Sequence, residues 1–275
     1  MGKCEIFNLS RFVKVCRKSI MEDWKVNVLR LASNYGILAI LFIWNGYLEY
    51  GLISRGASFD EDPTWGFVAT IFGIGLFISG AIAASNMMSK MAVKTGTINV
   101  LMTPASMLEK YLGRLIWVVV VATVSFLVAF YAADYTKYII YKIIYPDIKV
   151  IMPIDLSAAV SLRYMSHKGA FVAFFILSYL YTQSLFVLGS NIWPKRSFVK
   201  TFAAGIIISI VYFWIGWLSS KIFINPEENY LVRNMMDMSE EQVRAIMIAI
   251  ISVFTLFNWV LGYYRFKESE IIQRM

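Results

Sequence analysis

The chain has 275 residues, of which 59% are hydrophobic and 16% are charged, and its mean hydropathy is +0.62. These values exclude a soluble globular protein of this length and indicate a membrane protein with several spans. The net charge of +8 needs no nucleic-acid partner to explain it, because lysines and arginines orient spans and bind anionic lipid headgroups.

The N-terminal segment, residues 1–28, is predicted to be an amphipathic helix on the cytoplasmic membrane surface. Phe12, Cys16, Ile20 and Trp24 recur four residues apart, and most of the basic residues fall elsewhere on the helical wheel. We expect this helix to lie in the plane of the headgroups with its lysines toward anionic lipid. The alternative is a soluble amphipathic helix that packs on its own protein.

Six apolar runs are long enough to cross a bilayer. They lie at about residues 29–50, 65–84, 115–145, 169–190, 201–220 and 244–264. No polar block between them is long enough to fold separately, so a single membrane domain over residues 1–275 is expected. The sequence therefore predicts an all-α membrane protein with six transmembrane helices, preceded by the interfacial helix.

Charge predicts the orientation of the spans. Of the 26 lysines and arginines, 17 fall in the N-terminus up to Arg30, the second and fourth loops and the tail, and 9 fall in the odd-numbered loops and the ends of the spans that adjoin them. The positive-inside rule then places both termini in the cytoplasm. Cys4 and Cys16 lie in the cytoplasmic N-terminus on this orientation, so no structural disulfide is expected.

The third apolar run continues helically past Asp134 to Tyr145, where Pro146 would stop it. It carries tyrosines at helical spacing, namely Tyr131, Tyr135, Tyr138, Tyr141 and Tyr145. We assign them to the outer membrane interface, with a substrate-contacting ladder as the alternative. The spans are expected to lack the buried charges that ion-coupled transporters and proton pumps use.

The fourth span has a polar middle that contains Tyr179, Thr182 and Gln183. Hydrogen bonds between helices explain such residues in a membrane. The alternative is that these three side chains line a translocation path.

The basic segment between the second and third apolar runs, residues 85–114, is expected in the cytoplasm and is called the coupling segment below. Thr103 followed by Pro104 predicts a helix start, and Ser106 with Glu109 three residues later predicts a capping box. No helix breaker follows before Phe130. Loop and span are therefore expected to form one continuous helix, although well-capped cytoplasmic loops without a special role show the same signals.

Two stretches resemble a known family. The run Leu101 to Arg114, LMTPASMLEKYLGR, resembles the loop between the second and third spans in membrane subunits of type-2 ABC exporters, especially a Bacteroidetes-like branch. In that branch a leucine-proline-small-serine stretch precedes a glutamate-lysine pair. Phe7 to Phe12, and Glu22 with Asp23 and Trp24, resemble the N-terminal helix of the same branch. These motifs cover a small part of the chain, while the layout of spans matches over nearly all of it.

The resemblance implies a permease subunit that forms the translocation path and works with a separate ABC ATPase. The coupling segment would supply a helix that sits in a cleft of that ATPase, at Thr103, Pro104, Ser106, Glu109 and Lys110. Residues 221–243, an acidic extracytoplasmic segment, would correspond to the outer helical hairpin of the family. The implied partners are the ATPase, a second permease half in a homo- or heterodimer, and membrane lipids in the bacterial inner membrane.

The missing motifs agree with a protein that does not bind nucleotide itself. The chain contains no P-loop, no H-E-x-x-H zinc motif, no G-x-S-x-G elbow and no paired-cysteine motif. We therefore expect no enzyme activity and no cofactor in this chain, with ATP and magnesium on the partner subunit. The alternatives are a non-transporting membrane scaffold or sensor and, less favoured, a secondary transporter or channel.

Overall fold

A computed structural model describes residues 7–55, 59, 61–146, 148–154, 168–223 and 239–269. This part of the chain is helical and contains no strand. Six of its helices are long and apolar enough to cross a membrane. The predicted class, an all-α membrane protein with six spans, is confirmed.

The helices are defined here in chain order. They are α1 (Leu9–Ile53), α2 (Trp65–Ser85), α3 (Lys94–Leu101), α4 (Met107–Ile116), α5 (Ala122–Ile144), α6 (Lys168–Ile192), α7 (Ser197–Phe223) and α8 (Glu240–Glu268). A 3₁₀ turn, Ser89–Ala92, precedes α3, and a π-helical turn, Trp117–Val121, joins α4 to α5. Because α4, the π turn and α5 run on without a break, they form one helix of 38 residues, Met107–Ile144.

The N-terminal segment is not a separate helix. The helix α1 runs from Leu9 to Ile53, 45 residues, so the predicted boundary near residue 28 is wrong. An in-plane helix would need the chain to turn before it enters the bilayer, and α1 has no interruption there. At 1.5 Å per residue, α1 is about 68 Å long against a hydrocarbon core of about 30 Å, so it extends well beyond the membrane.

The described helices form two compact units. The first unit holds residues 1–83 and 104–172, and the second holds residues 84–103 and 173–275. The coupling segment is therefore divided, with α3 in the second unit and α4 in the first.

In the first unit, α1 and the α4–α5 helix pack side by side and run in the same direction. Four contacts along their length join Asn8 and Arg11 to Glu109, Tyr35 to Thr136, and Ile43 to Tyr141. The partners are 98 to 101 residues apart in each case. This constant separation means that the starts of α1 and α4 lie at the same end of the pair.

The helix α2 runs antiparallel to α5 in the same unit. Thr64, just before α2, contacts Lys137, and the Phe72 ring packs on Phe130 with ring centroids 4.9 Å apart. Farther along α2, a Cβ on Gly75 would lie 3.0 Å from the Phe126 ring, so this glycine permits close packing of the two helices. The alternating directions of α1, α2 and α5 are those expected for consecutive membrane crossings.

The second unit contains α6, α7 and α8. The Phe186 and Phe198 rings of α6 and α7 stack at 5.4 Å. Gly189 of α6 lies so close to Thr201 of α7 that an added Cβ would overlap the threonine side chain. Ser239 and Gln242 form a capping box at the start of α8. Residues 224–238, the larger part of the predicted outer hairpin, and His167 lie outside the described residues.

Candidate functional site

The two stretches that carry the family resemblance meet at one carboxylate, that of Glu109. Its Oε1 accepts a hydrogen bond from the backbone N–H of Asn8 at 2.6 Å and lies 3.1 Å from the Arg11 guanidinium. Its Oε2 accepts from the backbone N–H of Ser106 at 2.9 Å. The Glu109 side chain has no exposed surface, while Arg11 is 42% exposed.

Glu109 stands at the first turns of two helices. Ser106 accepts from the Glu109 N–H, so the predicted capping box at the start of α4 is confirmed. Asn8 caps α1, because its side chain accepts from the N–H groups of Ser10 and Arg11. Helix starts carry partial positive charge, and both therefore favour the Glu109 carboxylate. The arrangement fastens α1 to α4 at their shared end.

Apolar packing supports the same junction. A Cβ built on Gly113 would lie 3.5 Å from the Cys16 sulfur, 3.6 Å from Val15 and 3.9 Å from Phe12. This part of α1 therefore packs on its own protein, as the alternative in the sequence interpretation stated. Ile20 and Trp24, which belong to the same predicted stripe, are 46% and 55% exposed.

Thr103 and Pro104 do not begin a helix, so that prediction is wrong. The Thr103 hydroxyl instead donates to the carbonyl oxygen of Asn99 at 3.0 Å, in the turn that follows α3. The helix starts three residues later at Ser106, which has the better cap because its box is closed by Glu109. Lys110, like Glu109, is buried, whereas Pro104 is exposed and Met102 is 78% exposed.

A second site that sequence reasoning missed lies at the other end of α1 and α5, and is called the polar cluster below. It consists of Tyr50, Asp62, Thr64, Asp134 and Lys137, all at most 5% exposed. Asp62 accepts from the Tyr50 hydroxyl at 2.7 Å, from the Thr64 N–H at 2.9 Å and from the Thr64 hydroxyl at 2.7 Å. Lys137 donates to the Thr64 hydroxyl at 3.0 Å and pairs with Asp134 at 3.0 Å.

The polar cluster overturns the expectation that the spans lack buried charges. Asp134 and Lys137 belong to the long helix Met107–Ile144, and neither is more than 1% exposed. Tyr141, one turn farther on, is buried against Tyr50 with ring centroids 4.9 Å apart, so it belongs to the core. Tyr131 and Tyr135 are 47% and 56% exposed, so they do not belong to this core.

The segment after α5, residues 148–154, folds back onto the polar cluster and is called the strap below. The backbone N–H of Met152 donates to Asp62 at 3.3 Å, and that of Ile154 donates to Asp134 at 2.7 Å. Ile151 is buried in an apolar cluster with Tyr50 and Tyr141. The strap thus joins α1, α5 and the start of α2.

The three candidate translocation-path residues lie in the second unit. Gln183 is fully buried and donates to the Tyr179 hydroxyl at 2.7 Å, while Thr182, partly exposed, donates to the Ser178 carbonyl. Asn258 of α8 donates a hydrogen bond of 3.0 Å to the Ser184 hydroxyl of α6. This is a hydrogen bond between helices of the kind that the polar middle of α6 predicts. The Gln183 carbonyl oxygen is buried, and no group among the described residues donates to it.

Comparisons with protein-family models, with curated proteins and with solved structures each found no match.

Proposed function

We propose that this chain is the membrane-spanning permease subunit of an ATP-driven exporter of the type-2 ABC class, paired with a second permease half and a separate ATPase. The observation that carries the proposal is the junction at Glu109. The two stretches that resemble the family are about 100 residues apart in sequence, and they contact each other there.

In this proposal the ATPase docks on the coupling segment and moves α4. Because α4 continues into α5 and is fastened to α1, a displacement of α4 carries both long helices. The π turn at Trp117–Val121 is the one irregular point in the α4–α5 helix, and π turns recur at functional positions in helices. ATP-driven closure of the ATPase would thus shift the helices between two states, as coupling requires.

The exposed part of the coupling segment is the surface that a docked ATPase would reach. Glu109 and Lys110 are buried, so in the proposal they hold α4 in place and do not contact the partner. Met102 is 78% exposed, and Ile98 and Val93 are 55% and 61% exposed. Such apolar side chains in an otherwise basic segment suit a protein cleft.

Replacing Met102 by lysine is expected to weaken association with the ATPase by about tenfold or more, because a charge would be desolvated in the cleft. The measurement is co-purification of the tagged chain with an ABC ATPase from the membrane of its own cell. Met152→Lys, which changes another exposed methionine (54% exposed) in the strap, is the matched control. Equal association of the two variants, with equal membrane insertion, would remove the coupling assignment.

The polar cluster favours a secondary transporter as a second candidate, since ionisable residues in a membrane helix often form ion relays. Every member of the cluster is, however, hydrogen-bonded or paired within the first unit. The two carboxylates of the cluster also accept hydrogen bonds from the strap, so these charges have a structural role. The exporter therefore remains the proposal.

A further inference from the structure

We propose that the strap is a detachable lid over the polar cluster, which can leave its site while α1, α2 and α5 stay packed. This inference stands apart from the proposed function, because it concerns contacts at the end of the first unit and requires no ATPase.

The strap is attached through alternate backbone N–H groups. Met152 and Ile154 donate to Asp62 and Asp134, and Pro153 between them has no N–H. Proline also keeps the preceding residue extended, and in an extended chain residues two apart point their N–H groups the same way. The sequence Met-Pro-Ile thus presents two donors to two carboxylates.

The side chains of the strap separate an inner face from an outer one. Ile151 and Ile154 are 2% and 5% exposed, whereas Met152 is 54% exposed. Ile151 packs against Tyr50 and Tyr141. Among the described residues, the strap is held by these two hydrogen bonds and by the packing of Ile148, Ile151 and Ile154, a small set of contacts compared with those between the long helices.

The polar cluster keeps its internal partners when the strap leaves. Asp62 retains the Tyr50 hydroxyl and both donors of Thr64, and Asp134 retains Lys137. After undocking, Asp62 keeps three hydrogen bonds and Asp134 keeps its ion pair with Lys137, so neither buried carboxylate is left without a partner. A segment whose loss leaves the underlying charges satisfied can open locally without global unfolding.

The test uses a cysteine reporter at Ile154 in a chain whose Cys4 and Cys16 are replaced by serine, purified in detergent and treated with a polar maleimide. With the strap docked, Ile154→Cys should react about tenfold or more slowly than Met152→Cys, because the first site is buried and the second is exposed. Adding Ile151→Ser, which removes an apolar anchor of the strap and leaves the polar cluster intact, should raise the Ile154→Cys rate by about tenfold.

Ile143→Ser, which changes a 75% exposed isoleucine in the last turn of α5, is the matched control and should leave the rate unchanged. A second variant that should release the strap changes residues of α5 and none of the strap. The double variant Asp134→Leu/Lys137→Met removes the acceptor of Ile154 together with the ion-pair partner of that acceptor, and should also accelerate labelling.

In both release variants the thermal midpoint should stay within about 3 °C of the parent, since the helices remain packed. Two results would overturn the proposal. One is unchanged labelling of Ile154→Cys in the Ile151→Ser chain. The other is faster labelling accompanied by a fall in midpoint as large as that of Lys137→Met alone, which would mean that the strap leaves only when the helices come apart.

Discussion

Replacing Lys137 by methionine is expected to lower the free energy of unfolding by about 3–5 kcal/mol, the usual cost of breaking a buried ion pair. The Lys137 ammonium is fully buried and contacts both Asp134 and Thr64. Its removal leaves the Asp134 carboxylate buried without its ion-pair partner. Thermal unfolding of the detergent-solubilised chain measures the effect.

Two control variants isolate the charge from the change of shape. Lys142→Met alters an exposed lysine in the last turn of the same helix and should change stability by less than about 0.5 kcal/mol. Adding Asp134→Leu to Lys137→Met removes both charges and should restore most of the loss. A single Lys137→Met chain as stable as the Lys142→Met chain would show that the pair is not buried as the structure has it.

Replacing Glu109 by alanine is expected to release the start of α1 from α4 and to cost about 3 kcal/mol of stability. The carboxylate accepts from the N–H groups of Asn8 and Ser106 and pairs with Arg11, and hydrogen bonds to a charged acceptor contribute about 1.5–3 kcal/mol each. Hydrogen–deuterium exchange should rise in the first turns of α1 as well as in α4.

Ser106→Ala is the matched control, because it removes the α4 cap and leaves the contacts of Glu109 with Asn8 and Arg11 in place. It should cost about 1 kcal/mol and accelerate exchange in α4 alone. If hydrogen–deuterium exchange in α1 rose equally in Glu109→Ala and Ser106→Ala, or rose in neither variant, then the Glu109 carboxylate would not be the group that joins α1 to α4.

The helical class and the six spans could be predicted because apolar runs of membrane length are a local property of the sequence. The capping boxes at Ser106 and Ser239 could be predicted for the same reason, since each is decided within four residues. The start proposed at Thr103 failed because two overlapping cap signals competed, and only Ser106 has a glutamate at the position that closes the box.

Long-range pairing is what local patterns do not contain. Glu109 contacts Asn8 and Arg11, which lie about 100 residues away in the sequence. The sequence therefore suggested that Glu109 binds the ATPase, whereas the structure uses it to join two helices of this chain. Asp62 likewise has partners that are distant in sequence, Tyr50 at 12 residues and Met152 at 90. A signal was present, since Asp134, Lys137 and Tyr141 share one face of a helix at spacings of three and four residues. The tyrosine repeat beside them favoured an interface belt.

The most direct test of the proposed function is to purify the tagged chain, with whatever binds it, from the membrane of its own cell and to measure ATP hydrolysis in that material. The account predicts an ATPase polypeptide in the purified material and a hydrolysis activity that Met102→Lys removes and Met152→Lys leaves in place. Purified chain that is correctly inserted in the membrane but carries no ATPase and hydrolyses no ATP would contradict it.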